Sequence, residues 1–271
     1  MDFSKVKYRA PADFLIDTNI REYDISKANI SILFDAGVID AETYNILASQ
    51  PKQIREVTVG KMQGRDPTIS QKLKEGLAYC RSVFILGNNL SDEEILSINN
   101  DSITVIGDRR IEITRVMEHV FFRLDGQYRM FFSVPAMNQH FDFLYGYNKI
   151  SKEEQFRTRN FGHAAPFHEP YMFDFFRELF KTLQVEGVES AMQLLHSFHE
   201  LYVNRELDVG YYRRLDQSGM FDVGGINSEY ANFQAFVLGN ITRADLNISF
   251  NESVLRSIMG MLSSYYFQMK G

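Results

Sequence analysis

The sequence predicts an α+β fold in which an antiparallel sheet with helices, residues 1–148, is followed by a mainly helical second domain, residues 149–271. In the first part, short β-branched and aromatic runs alternate with helical segments, and turn residues join several of the runs as they do in hairpins. Beyond Pro170, apolar residues recur at spacings of three and four almost to the C terminus, which indicates helices. The polar stretch between the two parts is a candidate domain boundary.

Composition excludes several classes of protein. A hydrophobic content of 45% is enough to form a core, so the chain is not intrinsically disordered. We expect neither membrane insertion nor secretion, because there is no long apolar run and no charged-then-apolar leader. The single cysteine, Cys80, rules out a disulfide within the chain and indicates the cytoplasm. The net charge of −6 argues against a protein that coats nucleic acid through overall basicity, but it allows a local basic groove.

An acidic residue stands at the first junction between a strand and a helix. The strand candidate Phe14–Ile20 leads to Asp24, and apolar positions from Ile25 recur at helical spacing until Gly37. Such a carboxylate can reach both a metal and a phosphate, because the N–H groups at a helix start favour anions while the carboxylate favours cations. The alternative is that Asp24 only caps the helix, as Asp often does.

A cationic stretch follows a short helix that begins near Asp40 and ends at Pro51. Its basic residues and glycines are Lys52, Arg55, Gly60, Lys61, Gly64 and Arg65. Cations and glycines in this arrangement can surround an anion such as a triphosphate. An ordinary solvated helix and loop is the alternative.

A second acidic residue is predicted at the tip of a β-hairpin. The helical periodicity of Ser70–Leu86 ends at Gly87, and two β-branched runs then flank Asn99-Asn100-Asp101-Ser102, residues that favour turns. Asp101 is therefore expected at the tip, either as a functional carboxylate or simply as a residue that forms the turn.

The remaining predicted elements are strands over 110–118, 119–123 and 130–134, a tight turn at Asp125-Gly126, a polar connector over 149–170, and helices over 172–183 and 187–205.

If Asp24 and Asp101 meet, they form a pair of carboxylates that can bind divalent ions. Such a pair is the minimum requirement for phosphoryl or nucleotidyl transfer assisted by two metal ions. Mg²⁺ suits the pair because it accepts one or two carboxylates and completes its octahedron with water and phosphate oxygens.

Around these residues the sequence resembles the family B DNA polymerases. Their first palm motif, Asp-x-x-Ser-Leu-Tyr-Pro-Ser-Ile, is similar to Asp24–Ile32, which keeps the Asp, the last Ser and the last Ile. Their metal-binding hairpin, Tyr-Gly-Asp-Thr-Asp-Ser, is similar to Ser97–Ser102, which keeps the second Asp and the Ser. The resemblance extends in order over residues 14 to 220, and ordered elements contribute more to it than identities do.

The resemblance implies a palm-like domain over 1–148 with a short fingers-like insertion at about 38–66, and a thumb-like domain over 149–271. In a departure from the family, we expect no proofreading exonuclease domain before Asp24, because the preceding stretch is too short to hold one. It implies template-directed nucleotidyl transfer, with primer-template nucleic acid and nucleoside triphosphates as partners. Asp24 and Asp101 would bind Mg²⁺ and be catalytic. The nucleotide ligands it implies are Lys27, Asn29, Lys52, Arg55, Lys61 and Arg65, and the nucleic-acid contacts are Tyr128, Arg129, Arg157 and Arg159.

Departures from the family and the acidic net charge keep an alternative open. Of the family's fingers signature, only the positive charges and Gly64 are present between Asp40 and Gly64. The first hairpin Asp of the family is Asn99 here, the Tyr that excludes ribonucleotides is Asn29, and the Lys-Lys-x-Tyr element becomes Asp125–Tyr128. The alternative is a catalytically inactive, polymerase-like subunit that acts as a nucleic-acid-binding or structural partner in a larger complex. A chance resemblance, in an α/β protein of unrelated chemistry, is the third interpretation.

Overall fold

The fold is α+β, as predicted. A computed structural model describes residues 8–9, 12–136, 139–159, 170–212, 220–223 and 230–271. It divides the chain into two compact units, one built on Thr18–Tyr128 and the other on Asp13–Asp17 and Arg129–Gly271. The division falls between Tyr128 and Arg129, whereas the sequence predicts a boundary after residue 148.

The described strands are β1 (Tyr8–Arg9), β2 (Phe14–Leu15), β3 (Ile20–Ile25), β4 (Ile95–Ile98), β5 (Ser102–Ile106), β6 (Phe122–Tyr128), β7 (Met130–Ala136), β8 (Gln139–Asn148), β9 (Glu153–Arg159), β10 (Met220–Asp222) and β11 (Tyr230–Asn232). The described α-helices are α1 (Ala28–Asp35), α2 (Ala41–Ser49), α3 (Lys52–Arg65), α4 (Pro67–Gly87), α5 (Pro170–Val185), α6 (Val188–Val203), α7 (Phe233–Val237) and α8 (Ser249–Lys270).

The first unit is an antiparallel sheet, in the order β1-β4-β5-β3-β6, that packs against helices. Buried residues of β3 and β5, such as Ile25 and Ile103, share a core with Ile32 of α1 and Phe84 of α4. The predicted hairpin is confirmed. Its strands are β4 and β5, and the N–H of Asn99 donates to the carbonyl of Ser102 at 2.8 Å across the turn. β3 and β4 both run antiparallel to β5, so the loops that follow β3 and β4 lie at the same end of the strands.

The predicted first strand, Phe14–Ile20, is wrong in its bounds. The chain forms the short strand β2, which pairs with β7 in the second unit, and it then enters β3 in the first unit. Asp17 lies between the two strands and adopts a left-handed conformation with a φ of 54°, which breaks the extended run. Asp24 is consequently the penultimate residue of a strand and not a residue beyond one.

Three other predictions for the first 160 residues are wrong, and one of them is the strand over 119–123, of which only Phe122 and Arg123 lie in a strand. Asp125 and Gly126 lie inside β6 and do not form a turn. A Cβ atom at Gly126 would stand 2.5 Å from the hydroxyl of Tyr128, so the glycine provides space within the strand. Residues 110–118 form no strand, apart from an isolated bridge between Arg115 and Phe121.

The predicted polar connector contains a strand. β9 pairs along its whole length with β8, and Phe156 of β9 packs against the core of the second unit. The part of the connector at 160–169 lies outside the described residues.

The second unit combines helices with a four-stranded antiparallel sheet in the order β2-β7-β8-β9. Its core is rich in phenylalanine: the rings of Phe132 and Phe180 stack at 5.1 Å, and Phe143 contacts Phe176 at 5.1 Å between centroids. Helices α5 and α6 confirm the two helices predicted over 172–183 and 187–205. Among the helices that the structure describes, none combines the length and the apolar character needed to cross a membrane.

Candidate functional site

A polar cleft of about 230 Å³ lies in the first unit, where β3 ends and α1 begins. The tip of the β4–β5 hairpin, the start of α3 and one residue of β6 complete its wall. The charged and amide side chains that line it are Asp24, Lys27, Asn29, Lys52, Arg55, Glu56, Asp101 and Arg123. Six of these residues were candidates from the sequence, so the fold brings together positions that are distant along the chain.

Asp24 and Asp101 are neighbours because of how β3 pairs with β5. Asp24 lies opposite Ser102 in the antiparallel register, so Asp101 is the next residue beyond the pair. The N–H of Ile25 donates to the carbonyl oxygen of Asp101 at 2.9 Å, which closes the end of the ladder. On its other side Asp24 lies opposite Arg123 of β6. Both carboxylates thus border the same cleft, as a shared metal site would require.

Electrostatics at Asp24 reflect this crowding. Partial burial, and then the negative charges of Asp101 and Asp125, raise the pKa of Asp24 to about 6, while the guanidinium of Arg123 opposes the shift. The cleft therefore penalises the ionised form of Asp24, and a bound cation would relieve that penalty.

The described residues include no group of three or more His, Cys, Asp or Glu side chains that could hold a metal ion by themselves. Two neighbouring carboxylates still fit Mg²⁺, which takes hard oxygen ligands and completes its octahedron with water or phosphate oxygens. The donor set therefore fits an ion that is bound jointly with a phosphate-bearing ligand better than an ion held by protein alone.

The turn into α1 and the first residues of α1 border the cleft. A helix leaves the N–H groups of its first turn without partners inside the helix, and residues 28–30 of α1 line the cleft. Lys27 precedes them in a left-handed conformation with φ 55° and ψ 38°, and its side chain is exposed. Such a turn lets the chain pass from β3 into α1 within two residues. The N–H groups and the ammonium group together favour an anion.

Helix α3 provides a polar stripe. Lys52, Arg55, Glu56 and Val59 line the cleft, and their spacing of three, four and seven residues places them on one face. Arg55 also donates from Nη1 to the carbonyl of Gln50 at 2.6 Å. The stretch is a helix, and two of its four cations, Lys52 and Arg55, line the cleft.

Lys61 and Arg65, also expected to bind the triphosphate, are absent from the cleft lining. Lys61 lies nine residues after Lys52, which is about two and a half helical turns and therefore the opposite face of α3. Asn29 does border the cleft, with an exposed side chain.

Tyr128 does not fit the expected contact with nucleic acid. Its side chain is only 2% exposed in the first unit, and its hydroxyl donates to Oε2 of the equally buried Glu22 at 3.2 Å. The pair supports β3 from within, two residues before Asp24.

The other three expected nucleic-acid contacts belong to the second unit. Arg129 is partly exposed and donates from Nη2 to the carbonyl of Asp17 at 3.2 Å. Arg157 and Arg159 lie on β9, which is an edge strand of the four-stranded sheet, and Arg157 is exposed.

Sequence reasoning missed Arg123 and Glu56 as cleft residues. Arg123 pairs with Asp125 at 3.4 Å, two residues along the same strand. Alternation of charged and apolar residues across 122–128 was the available signal, and the assignment of a turn to Asp125 obscured it. For Glu56 the signal was its spacing of four residues from Lys52 on a helix.

Residues 3–261 match a sequence family described as Bacteriophage PBS1 gene 130 protein. Among curated proteins, no sequence matches the chain.

Proposed function

The chain belongs to the Bacteriophage PBS1 gene 130 protein family, and we propose that it is a small, DNA polymerase-like enzyme that performs template-directed nucleotidyl transfer. The observation that carries the proposal is the shared cleft of Asp24 and Asp101, with Lys27, Lys52 and Arg55 around it. Carboxylates for metal ions and cations for phosphates are both needed for this chemistry, and here they border one cavity.

In the proposed reaction, the 3′-hydroxyl oxygen of a primer attacks the α-phosphorus of a nucleoside triphosphate. A P–O bond to the new nucleotide forms, the bond to pyrophosphate breaks, and the hydroxyl proton passes to solvent. Mg²⁺, when bound, would lower the pKa of the attacking hydroxyl and neutralise charge on the leaving group. Asp24 and Asp101 are the residues that would hold it.

The remaining cleft groups have roles in binding and orientation. Lys27, Lys52 and the N–H groups at the start of α1 would bind the phosphates of the triphosphate. Arg55 would assist them while it retains its bond to Gln50. Arg129, Arg157 and Arg159 are proposed to contact the phosphate backbone of primer or template, as the resemblance implies.

A second candidate is an inactive, polymerase-like subunit that binds nucleic acid or supports a larger complex. Asn99 stands where the related polymerases have a carboxylate, and this observation favours the second candidate. For either function we place the protein in the cytoplasm, where the buried free thiol of Cys80 would stay reduced.

Primer extension with purified protein tests the proposal. The reaction would contain a primer-template DNA, Mg²⁺ or Mn²⁺, and either deoxyribonucleotides or ribonucleotides. Wild type is compared with Asp24→Asn, with Asp101→Asn and with Asp92→Asn, an exposed acidic residue outside the cleft. We expect extension by wild type and Asp92→Asn, and at least about a hundredfold loss in both cleft variants, since bound metal ions lower the activation barrier by several kcal/mol.

Equal extension by all four proteins would identify a contaminating polymerase and overturn the proposal. If wild type binds primer-template but extends nothing with either metal and either sugar, the second candidate replaces the first.

A further inference from the structure

Arg81 is a charged residue in the interior of the first unit. It lies on α4 four residues after Leu77 and three before Phe84, so it shares the apolar face of that helix, and only 2% of its surface is exposed. Burial lowers the pKa of its guanidinium, because removal from water disfavours the charged form. A guanidinium in such a position needs good hydrogen-bond acceptors.

The guanidinium reaches the turn of the β4–β5 hairpin. Nη1 of Arg81 donates to the carbonyl of Asn100 at 2.9 Å and lies 3.4 Å from the carbonyl of Asn99. These two carbonyls immediately precede Asp101. Arg81 therefore contacts the backbone at the point from which one of the two cleft carboxylates extends.

Other hydrogen bonds, within the turn and to β3, restrain the same tip. The N–H of Asn99 donates to the carbonyl of Ser102 at 2.8 Å, and Nδ2 of Asn99 donates to Oγ of Ser102 at 3.3 Å. The N–H of Ile25 donates to the carbonyl of Asp101 at 2.9 Å. The tip is thus held between α4 on one side and β3 on the other.

We propose that Arg81 is a positioning residue that fixes the hairpin tip so that the carboxylate of Asp101 stays beside Asp24 in the cleft. The inference rests on the proposed function, because the positioned carboxylate is the one assigned to metal binding. Hairpin tips are otherwise among the more mobile parts of a fold, whereas a metal site needs its ligands held closely.

The geometry of the donor matters in this account. A guanidinium holds its N–H groups in one fixed plane, and here Nη1 approaches two adjacent carbonyls, whereas a lysine ammonium is a compact charge with freely rotating donors. A direct contact of Arg81 with a nucleotide or nucleic acid is excluded by its burial. The residue acts through the backbone of the turn.

The test uses Arg81→Met, which removes the donors, and Arg81→Lys, which keeps the charge but not the planar arrangement. Lys74→Met is the control, since Lys74 is exposed on the same helix and is not among the residues that line the cleft. Three quantities are measured in the full chain: the midpoint of thermal unfolding, hydrogen exchange of the Asn99 and Ile25 amides, and the affinity for Mn²⁺ by electron paramagnetic resonance.

We expect Arg81→Met to speed exchange of both amides and to weaken Mn²⁺ binding by about 10- to 100-fold per folded molecule, as loss of groups that orient metal ligands does elsewhere. Arg81→Lys should recover part of the affinity, and Lys74→Met should match wild type. If Arg81→Met does not fold, the comparison of Arg81→Lys with wild type remains, and an intermediate loss of affinity with faster exchange is expected.

A folded Arg81 variant with wild-type exchange in the turn and wild-type Mn²⁺ affinity would overturn the inference, as would a lower unfolding midpoint with unchanged affinity. If wild type binds no Mn²⁺, the proposed function fails. The exchange rates then still decide whether Arg81 fixes the turn, so the two failures are distinguishable.

Discussion

Asp24 is a residue whose protonation depends strongly on its surroundings. In the folded protein its pKa is about 6, because burial and the charges of Asp101 and Asp125 disfavour ionisation. In an unfolded chain the pKa would be near 3.8. The folded state therefore binds the proton more tightly between about pH 4 and pH 6. Stability contributed by this residue is present below that window and is lost as the pH rises through it.

Removal of the charge should stabilise the protein at neutral pH. For Asp24→Asn at pH 7.5 we expect a free energy of unfolding higher by about 1 to 2 kcal/mol, a value reduced from the full shift because the side chain is partly solvated. The gain should vanish below about pH 4, where Asp24 of wild type is protonated in both states. Urea unfolding at several pH values measures the difference, and a destabilised variant at pH 7.5 would contradict the electrostatic account.

The same proton should compete with a metal. A carboxylate must be ionised to bind a divalent ion, so Mn²⁺ affinity is expected to fall about tenfold between pH 7.5 and pH 5, as a pKa of about 6 requires. Isothermal titration in wild type and Asp24→Asn gives the comparison. Affinity that does not change over this range would mean that Asp24 is not a ligand.

At the scale of elements, α3 divides its cations between two faces. Lys52 and Arg55 line the cleft, whereas Lys61 and Arg65 do not. The sequence supplied all four as equal candidates, because charge alone does not define a face until the helix and its phase are known. Phase could have been inferred from Val59, the buried residue of this helix that lies seven positions after Lys52.

This division predicts different effects on nucleotide affinity. The single variants Lys52→Ala and Arg55→Ala should each weaken binding of a nucleoside triphosphate by about tenfold or more, as expected for lost charge-assisted hydrogen bonds. Lys61→Ala and Arg65→Ala are the matched controls and should bind as wild type does. Titration with a fluorescent nucleotide measures the affinity. Each titration is done below the unfolding temperature of its variant, because Arg55→Ala also loses the hydrogen bond to Gln50. Equal losses for all four variants would point to general charge attraction.

Local sequence signals predicted some elements well and others poorly. The β4–β5 hairpin and the helices α4, α5 and α6 were predictable because turn residues and apolar periodicity agree there. β6 was not, since Asp125-Gly126 has the composition of a turn while Gly126 serves close packing against Tyr128. β9 was missed for a related reason: an edge strand with one face in solvent can be mostly polar.

The cleft depends on three features: its carboxylates, the cations of α3, and the convergence of the two groups. The first two were predictable from the sequence. The carboxylates and the cations of α3 could be identified as candidates by residue type and position. Their convergence could not, because it depends on β3 lying between β5 and β6, a pairing over long separations. Arg123 becomes a neighbour of Asp24 only through that pairing.

At the scale of the whole molecule, a net charge of −6 limits how nucleic acid can be bound. Attraction must come from local cations, and Arg129, Arg157 and Arg159 of the second unit are the proposed ones. Three phosphate contacts predict a slope of about −2 to −3 for the logarithm of affinity against the logarithm of salt concentration. The double variant Arg157→Gln, Arg159→Gln should reduce the slope to about −1.

Fluorescence anisotropy with a short duplex at several salt concentrations measures these slopes. Lys181→Gln on α5 serves as a control that removes one positive charge elsewhere in the second unit. A slope that the double variant leaves unchanged would remove Arg157 and Arg159 from the proposed interface.

The central claim is that Asp24 and Asp101 together hold a divalent ion beside a triphosphate. Crystals of the protein soaked with Mn²⁺ and a non-hydrolysable deoxynucleoside triphosphate test it directly by anomalous diffraction. The account predicts a peak about 2.1 Å from a carboxylate oxygen of each aspartate and from phosphate oxygens of the nucleotide. Well-ordered nucleotide in the cleft with no such peak, or a peak that contacts neither aspartate, would contradict it.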